Sequence, residues 1–319
     1  MLLLTPFAKA GALTYTSARV IGAVLGAGVG AVAGLLGRRI AGERAGLIAA
    51  GMAAVYPAWV VADTSGMSEV LYVLFAGLAL LAVLDRRAAL AGLAVGLAAL
   101  TRTEGVLLVP LLLWPVLWGR GAVVATLVLL AVLAPWTIDR SVQLHRLVAV
   151  STNDASVIAG ANCGPAYHGR DTGFWVPACL NVGRLTTDEG KLAGRWETAG
   201  EHYAEHHASR VPAVVAVRVL RTWRMWQPLR NSSEGENGTA VKVGALWFLL
   251  LILPVGLLGL RRLRSWPLLA LCLLPTITSA LGWGAPRFLR PAELALILAA
   301  AAYSATRGSS SGALPSRPT

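Results

Sequence analysis

Residues 38–87, RRIAGERAGLIAAGMAAVYPAWVVADTSGMSEVLYVLFAGLALLAVLDRR, hold the pattern that decides the fold. Two apolar runs, 45–62 and 68–84, flank the polar turn DTSGMSE, and an arginine-rich break closes each outer end. A bilayer crossing needs about 20 apolar residues, fewer when flanking side chains snorkel. Short arginine-rich loops mark the cytoplasmic side. The stretch therefore reads as one excursion across a membrane and back, with the acidic turn outside.

The rest of the chain repeats this grammar. Hydrophobic residues make up 56% of it and charged residues 14%, against about a quarter charged in soluble domains. Mean hydropathy is +0.63. So few polar residues cannot clothe a soluble globule, and disorder or a disulfide-dense miniprotein is equally excluded. In a soluble chain a net charge of +12 would point to nucleic acid. Here the breaks 37–44, 85–87, 119–120 and 261–265, with the tail, hold eleven arginines against Glu43 and Asp85. The basicity is thus a topology signal, and nucleic acid is not an expected partner.

The expected fold is an all-α polytopic bundle of about nine spans, at 18–36, 45–62, 68–84, 88–101, 105–118, 121–138, 241–260, 266–283 and 291–305. The fourth and fifth are short and separated by the RTE turn (102–104), so they form a tight helical hairpin or a re-entrant pair. This divides the chain into N-terminal membrane helices (1–138), an extracytoplasmic loop region (139–240), C-terminal membrane helices (241–305) and a disordered tail (306–319). Placing every arginine-rich break inside puts the N-terminus outside. That suggests a chain lacking its natural first span and outer loop; the alternative is a short exported tail.

The loop region has nearly balanced charge, 11 Lys/Arg against 10 Asp/Glu. Residues 188–210 read as a helix with the stripe Leu192, Trp196, Ala199 and Tyr203. Residues 211–230, with Arg218, Arg221, Arg224, Trp223 and Trp226, suit an interfacial helix beside phosphate head groups. Cys163 and Cys179 share this external loop, whereas Cys272 sits in a span. A disulfide is the natural reading, with free thiols or a metal pair as alternatives.

Ionisable residues at span ends are costly and often functional. The candidates are Asp63 and Glu69 in the second outer turn, Arg102 and Glu104 at RTE, Asp139 and Arg140 after PWTI, and Arg287, Arg290 and Glu293 around the last outer turn. All fall on one face. Carboxylates there can take an acceptor proton or hold a divalent metal, while arginines stabilise a departing phosphate. Each could instead simply snorkel or cap a helix. His202 and His206, at i and i+4 beside His207, have a zinc-compatible spacing but no HExxH glutamate or third ligand. NSS (231–233) and NGT (237–239) match glycosylation sequons. The small-xxx-small run 24–34 suits close helix packing.

The order of RRIAGERAGLIAAGMAAVYP (38–57), SGMSEVLY (65–72), GLAVGLAALTRTEGVLLVPLLL (92–113), APWTIDR (134–140) and APRFLRP (285–291) resembles the multi-spanning C-type glycosyltransferases. These are the relatives of protein mannosyltransferases and of aminoarabinose transferases. The resemblance implies an enzyme that moves a sugar from a polyprenyl-phosphate donor to a protein, glycan or lipid acceptor outside the cytoplasmic membrane. It places the family's catalytic base upstream of Met1, Glu69 as a supporting acidic residue for acceptor or metal, and Arg102, Arg287 and Arg290 at the donor phosphate. No cofactor beyond a divalent metal is implied. The competing readings are a transporter or lipid flippase and a non-catalytic scaffold.

Overall fold

The computed structural model describes Lys9, Gly11 and residues 14–145, 147–151, 153–182, 188–232 and 238–309. Among these the chain is helical, without strands. The remaining N-terminal residues, both sequons in part, and the tail from 310 onward lie outside the described residues.

Helix α1 (Tyr15–Ala41) starts at a capping box, in which the Thr14 hydroxyl accepts from Ser17 N–H at 3.1 Å and Ser17 Oγ accepts from Thr14 N–H at 2.7 Å. Arg38 and Arg39 occupy its last turn, where the helix dipole favours cations. Next come α2 (Glu43–Val55) and α3 (Pro57–Thr64). Both were expected to form one span, 45–62, but they meet at a 57° bend. Pro57 lacks an N–H and forces Tyr56 out of helical geometry, which is the cause of the break. Of the small-residue run 24–34, Gly34 packs against α2, and Gly37 and Gly46 beyond the run extend this contact: a Cβ at Gly46 would stand 2.8 Å from the Gly34 carbonyl.

Helices α4 (Glu69–Leu84) and α5 (Ala88–Thr101) follow, then α6 (Thr103–Leu117), which mixes 3₁₀, π and α turns around Pro110 and Pro115. The fourth and fifth segments fold back on each other, an antiparallel arrangement common to both readings of this pair. Gly105 lies against the backbone of Ala98 and Ala99, and α6 runs back until Val116 O accepts from the Arg86 guanidinium. Helix α7 (Gly119–Leu144) continues past Pro135, so Asp139 and Arg140 belong to its final turns instead of a loop.

The loop region carries α8 (Asn153–Ala161), α9 (Glu189–His206) and α10 (Val211–Thr222). The chain then returns through α11 (Thr239–Leu263), α12 (Trp266–Leu281) and α13 (Arg290–Ser309). The last helix covers 306–309, the start of the segment expected to be a disordered tail. Residues Ala292 to Ala302 of α13 are all buried, making it the central post of the bundle.

Each of the nine expected apolar segments is helical, but length separates them. Four helices, α1, α7, α11 and the Pro286–Thr306 stretch that contains most of α13, are long and apolar enough to cross a membrane alone, or five crossings if α2 and α3 count as one bent span. Helices α4, α5, α6 and α12 are apolar but shorter.

Candidate functional site

The two ends of the bundle differ in chemistry. At one, Arg39 pairs with Asp85 at 3.2 Å and Arg86 reaches Val116, bringing the arginine-rich breaks together. At the other, the turns after α3, α5 and α12 converge and assemble the ionisable residues singled out above.

Glu69, the first residue of α4, is 3% exposed. Arg102, in the extended residue between α5 and α6, donates to Glu69 Oε1 at 2.8 Å and to Glu104 Oε1 at 2.5 Å. Its guanidinium stacks over Phe288, 5.2 Å from the ring centroid. Arg287 approaches the same Glu69 oxygen at 3.8 Å and lies over Trp283. Half-open to the outside, Arg287 is the most accessible cation of the group.

One turn deeper, Arg290 pairs with the fully buried Glu293 at 2.7 Å. Tyr56 Oη and Trp59 Nε1 each donate to Glu293 at 2.7 Å. The Pro57 bend is what aims both aromatic residues inward. Arg224, after α10, adds a buried positive charge facing Glu293 and Tyr56, and burial pushes its guanidinium down from the ordinary arginine value. Three buried polar atoms here make no hydrogen bond among the described residues: Arg290 Nε, Arg224 Nε and the hydroxyl of Tyr72, which lies near Arg102 and Glu104.

Asp63 behaves differently from its neighbours. It lines a small cleft with Trp59, Glu69 and Arg290, and no hydrogen bond or ion pair holds its carboxylate among the described residues; Arg290 acts on it only across the cleft. A Cβ at Gly22 or Gly26 of α1 would overlap Asp63, so these glycines create the space that it fills.

The loop region packs onto this end. Gly284 N–H donates to Gly173 O at 2.8 Å and Ala285 N–H to Thr222 Oγ1 at 3.1 Å, tying the loop to the turn that carries Arg287 and Arg290. Cys163 and Cys179 form the expected disulfide, around a small core of Ala166, Tyr167, Val176 and Val214. The stripe of α9 faces protein: Trp196 donates to Leu180 O, and Tyr203 meets Tyr167 edge-on.

The head-group contacts expected of the arginines in 211–230 are corrected. Arg218, Arg221 and Arg224 are 2–4% exposed and point inward, where carbonyls replace the expected head groups. Arg218 donates to Ala161 O at 2.6 Å; Arg221 donates to Thr172 O and Arg170 O and stacks on Phe174. Burial, with Arg230 close by, pushes Arg221 down to about 10, so it stays charged at neutral pH.

Asp139 and Arg140 pair with each other at 3.0 Å, and among the described residues no hydrogen bond or ion pair joins them to the site. At the rim, Thr103 donates to Asp154 at 3.4 Å, and burial, then Glu104 and Glu197, raise the Asp154 carboxyl while Thr103 lowers it. Among the described residues no three His, Cys, Asp or Glu side chains are grouped to hold a metal. His206 and His207 direct Nδ1 at the carbonyls of His202 and Tyr203, and the carboxylates Glu69, Glu104 and Glu293 are engaged by arginines. The arrangement does not fit the divalent metal considered from the sequence.

Sequence reasoning missed Tyr56, Trp59, Tyr72 and Arg224. Pro57 was the available signal for the first two, since it breaks the apolar run beside them. Arg224 sat in a stretch whose Arg and Trp content imitates an interfacial helix. No protein-family model, curated protein or solved structure significantly matches this chain.

Proposed function

We propose that this chain is an integral-membrane glycosyltransferase of the C-type class that crosses the cytoplasmic membrane about nine times. It would move a sugar from a polyprenyl-phosphate donor to an extracytoplasmic protein, glycan or lipid acceptor. One observation carries this reading: Arg102, Arg287 and Arg290 converge at one end of an apolar bundle beside Asp63, a carboxylate that no arginine engages at contact distance. A lipid-anchored phosphate presented at the membrane surface needs such a place.

In the proposed reaction the acceptor hydroxyl oxygen forms a bond to the sugar's anomeric carbon as the bond from that carbon to the phosphate oxygen breaks. The polyprenyl phosphate leaves with the electron pair and is stabilised by Arg287, the accessible cation, and by Arg290, whose Nε has no partner among the described residues. Arg102, fully engaged by Glu69 and Glu104, sets the position of the turn and adds charge. The acceptor proton passes to Asp63, which in this proposal takes the part that the resemblance gives to a carboxylate of another outer loop, because no arginine engages it. Glu69 holds Arg102 and Arg287 in register, a supporting role. A path for transport would favour ionisable groups near mid-membrane, whereas these gather at one end.

The test is transfer of radiolabelled sugar from a polyprenyl-phosphate donor in membranes containing the chain. R290A and R102A should each lower donor binding or turnover while the protein still inserts. D63N should lower turnover with donor binding retained. Unchanged transfer by both arginine variants would remove them from the site, and substrate movement into vesicles without transfer would sink the reading.

A further inference from the structure

An apolar groove of about 230 Å³ opens at the arginine-rich end and runs between α4 and α5 as far as Phe75 and Leu97. Phe75, Leu78 and Leu81 form one wall; Leu90, Leu93 and Leu97 form the other. Along α5 these positions follow helical spacing and span about 10 Å. A groove this long and this apolar matches part of a hydrocarbon chain, and several of its walls face outward: Leu90 is 48% exposed and Leu93 40%.

The mouth is charged and unbalanced. Asp85 and Arg87 line it, but Asp85 is already neutralised by Arg39 at 3.2 Å. The Arg87 guanidinium is exposed and makes no hydrogen bond or ion pair among the described residues. Helix α5 starts at this point with no side-chain cap, so its 14 residues direct the positive end of their dipole at the same mouth. An apolar slot with a free guanidinium and an uncapped helix start at its opening is complementary to one kind of molecule, an anion attached to a hydrocarbon chain.

We infer that this groove binds an anionic phospholipid of the leaflet at the arginine-rich end, with one acyl chain between α4 and α5 and the phosphate at Arg87. The site is independent of the proposed transfer reaction, and its charged mouth lies at the other end of α4 and α5 from Glu69 and Arg102. A lipid held there would brace the turn joining α4 to α5, the two helices that present Glu69 and Arg102 at their far ends.

Lipid retention by the purified full chain in detergent, read by native mass spectrometry against phosphatidylglycerol and phosphatidylcholine, tests this. The wild type should retain phosphatidylglycerol about fivefold better, the contribution expected of one arginine at a lipid surface. R87Q should abolish that preference while keeping residual binding of both lipids. L93W should lower retention of both, and L90W, at a more exposed position, serves if L93W does not fold. Equal retention of the two lipids by the wild type, or an undiminished preference in R87Q, overturns the proposal. So does a polyprenyl phosphate that displaces phosphatidylglycerol from the wild type but not from R87Q, since the occupant would then be the carrier.

Discussion

The two ends of the bundle use the same side chains to opposite effect. At the arginine-rich end Arg38 and Glu43 meet at 3.3 Å with side chains 66% and 79% exposed, and Arg39 and Asp85 are also open to the outside. At the other end Glu69 and Glu293 are 3% and 0% exposed, and the arginines hydrogen-bonded to them, Arg102 and Arg290, are 13% and 11% exposed. Exposed pairs contribute up to about 1 kcal/mol, while breaking a buried pair costs about 3–5 kcal/mol because one charge is left stranded. Charge that water can reach orients a membrane protein, and charge withdrawn from water is retained only with partners in place. The contrast separates the residues that set topology from those able to do chemistry.

The strongest way to break the comparison is at Glu293. Removing its charge in E293Q leaves Arg290 buried opposite a neutral amide, with Arg224 adding like charge and Tyr56 and Trp59 facing a weaker acceptor. Thermal unfolding in detergent should register a loss of about 3–5 kcal/mol. The double variant R290M/E293M should recover at least half of it, because an apolar pair strands no charge. A double variant as unstable as E293Q would mean that the loss comes from packing.

Arg102 should follow. R102A strands Glu69 and Glu104 together, but Arg287 still faces Glu69 at 3.8 Å and can move in, so the loss should fall near the lower limit, about 3 kcal/mol. The same unfolding measurement checks it. Adding R287A should deepen the loss by more than R287A alone costs, the coupling expected of two cations sharing one carboxylate.

The disulfide comes next. Closing the 163–179 loop contributes up to about 3 kcal/mol, felt locally because the loop's core is small. C163S/C179S should expose residues 160–182 to protease well before the helices unfold. Since Gly173 and Thr222 bond the turn at Gly284 and Ala285, the variant should also loosen Arg287 and Arg290. Protection equal to wild type under limited proteolysis would show that the buried arginines alone hold the loop.

How much of this was legible follows the same physics. Hydropathy marked nine apolar segments, each of which is helical, because apolarity and helix formation depend largely on a segment's own composition. Most residues of the site were found together because charges in apolar surroundings stand out. What escaped depended on partners distant in the chain. Tyr56 and Trp59 lie more than 230 positions from Glu293. Arg224 and its neighbours were misread because a guanidinium satisfied by carbonyls and one satisfied by phosphate have the same local sequence. Asp63 was visible as a candidate, but its lack of a partner is a property of three dimensions.

The smallest expected effect sharpens the comparison most. Arg39 and Asp85 are 46 positions apart and join two breaks, so on a contact map they look as structural as Arg102 and Glu69. Exposure argues otherwise: water solvates either charge once the other is removed, and salt screens the pair over about 10 Å at 0.1 M. R39A and D85N should each shift stability by less than about 1 kcal/mol, with a coupling energy in the double-mutant cycle that shrinks as salt rises from 0.05 to roughly 0.5 M. The R290M/E293M cycle at the other end should hardly respond to the same salt series, because ions cannot enter between those groups. A salt-insensitive coupling at Arg39 and Asp85 would mean that the arginine-rich end is shielded from water like the opposite one. Burial would then no longer distinguish the two ends, and the assignment of the site would have to rest on the unpaired Asp63 alone.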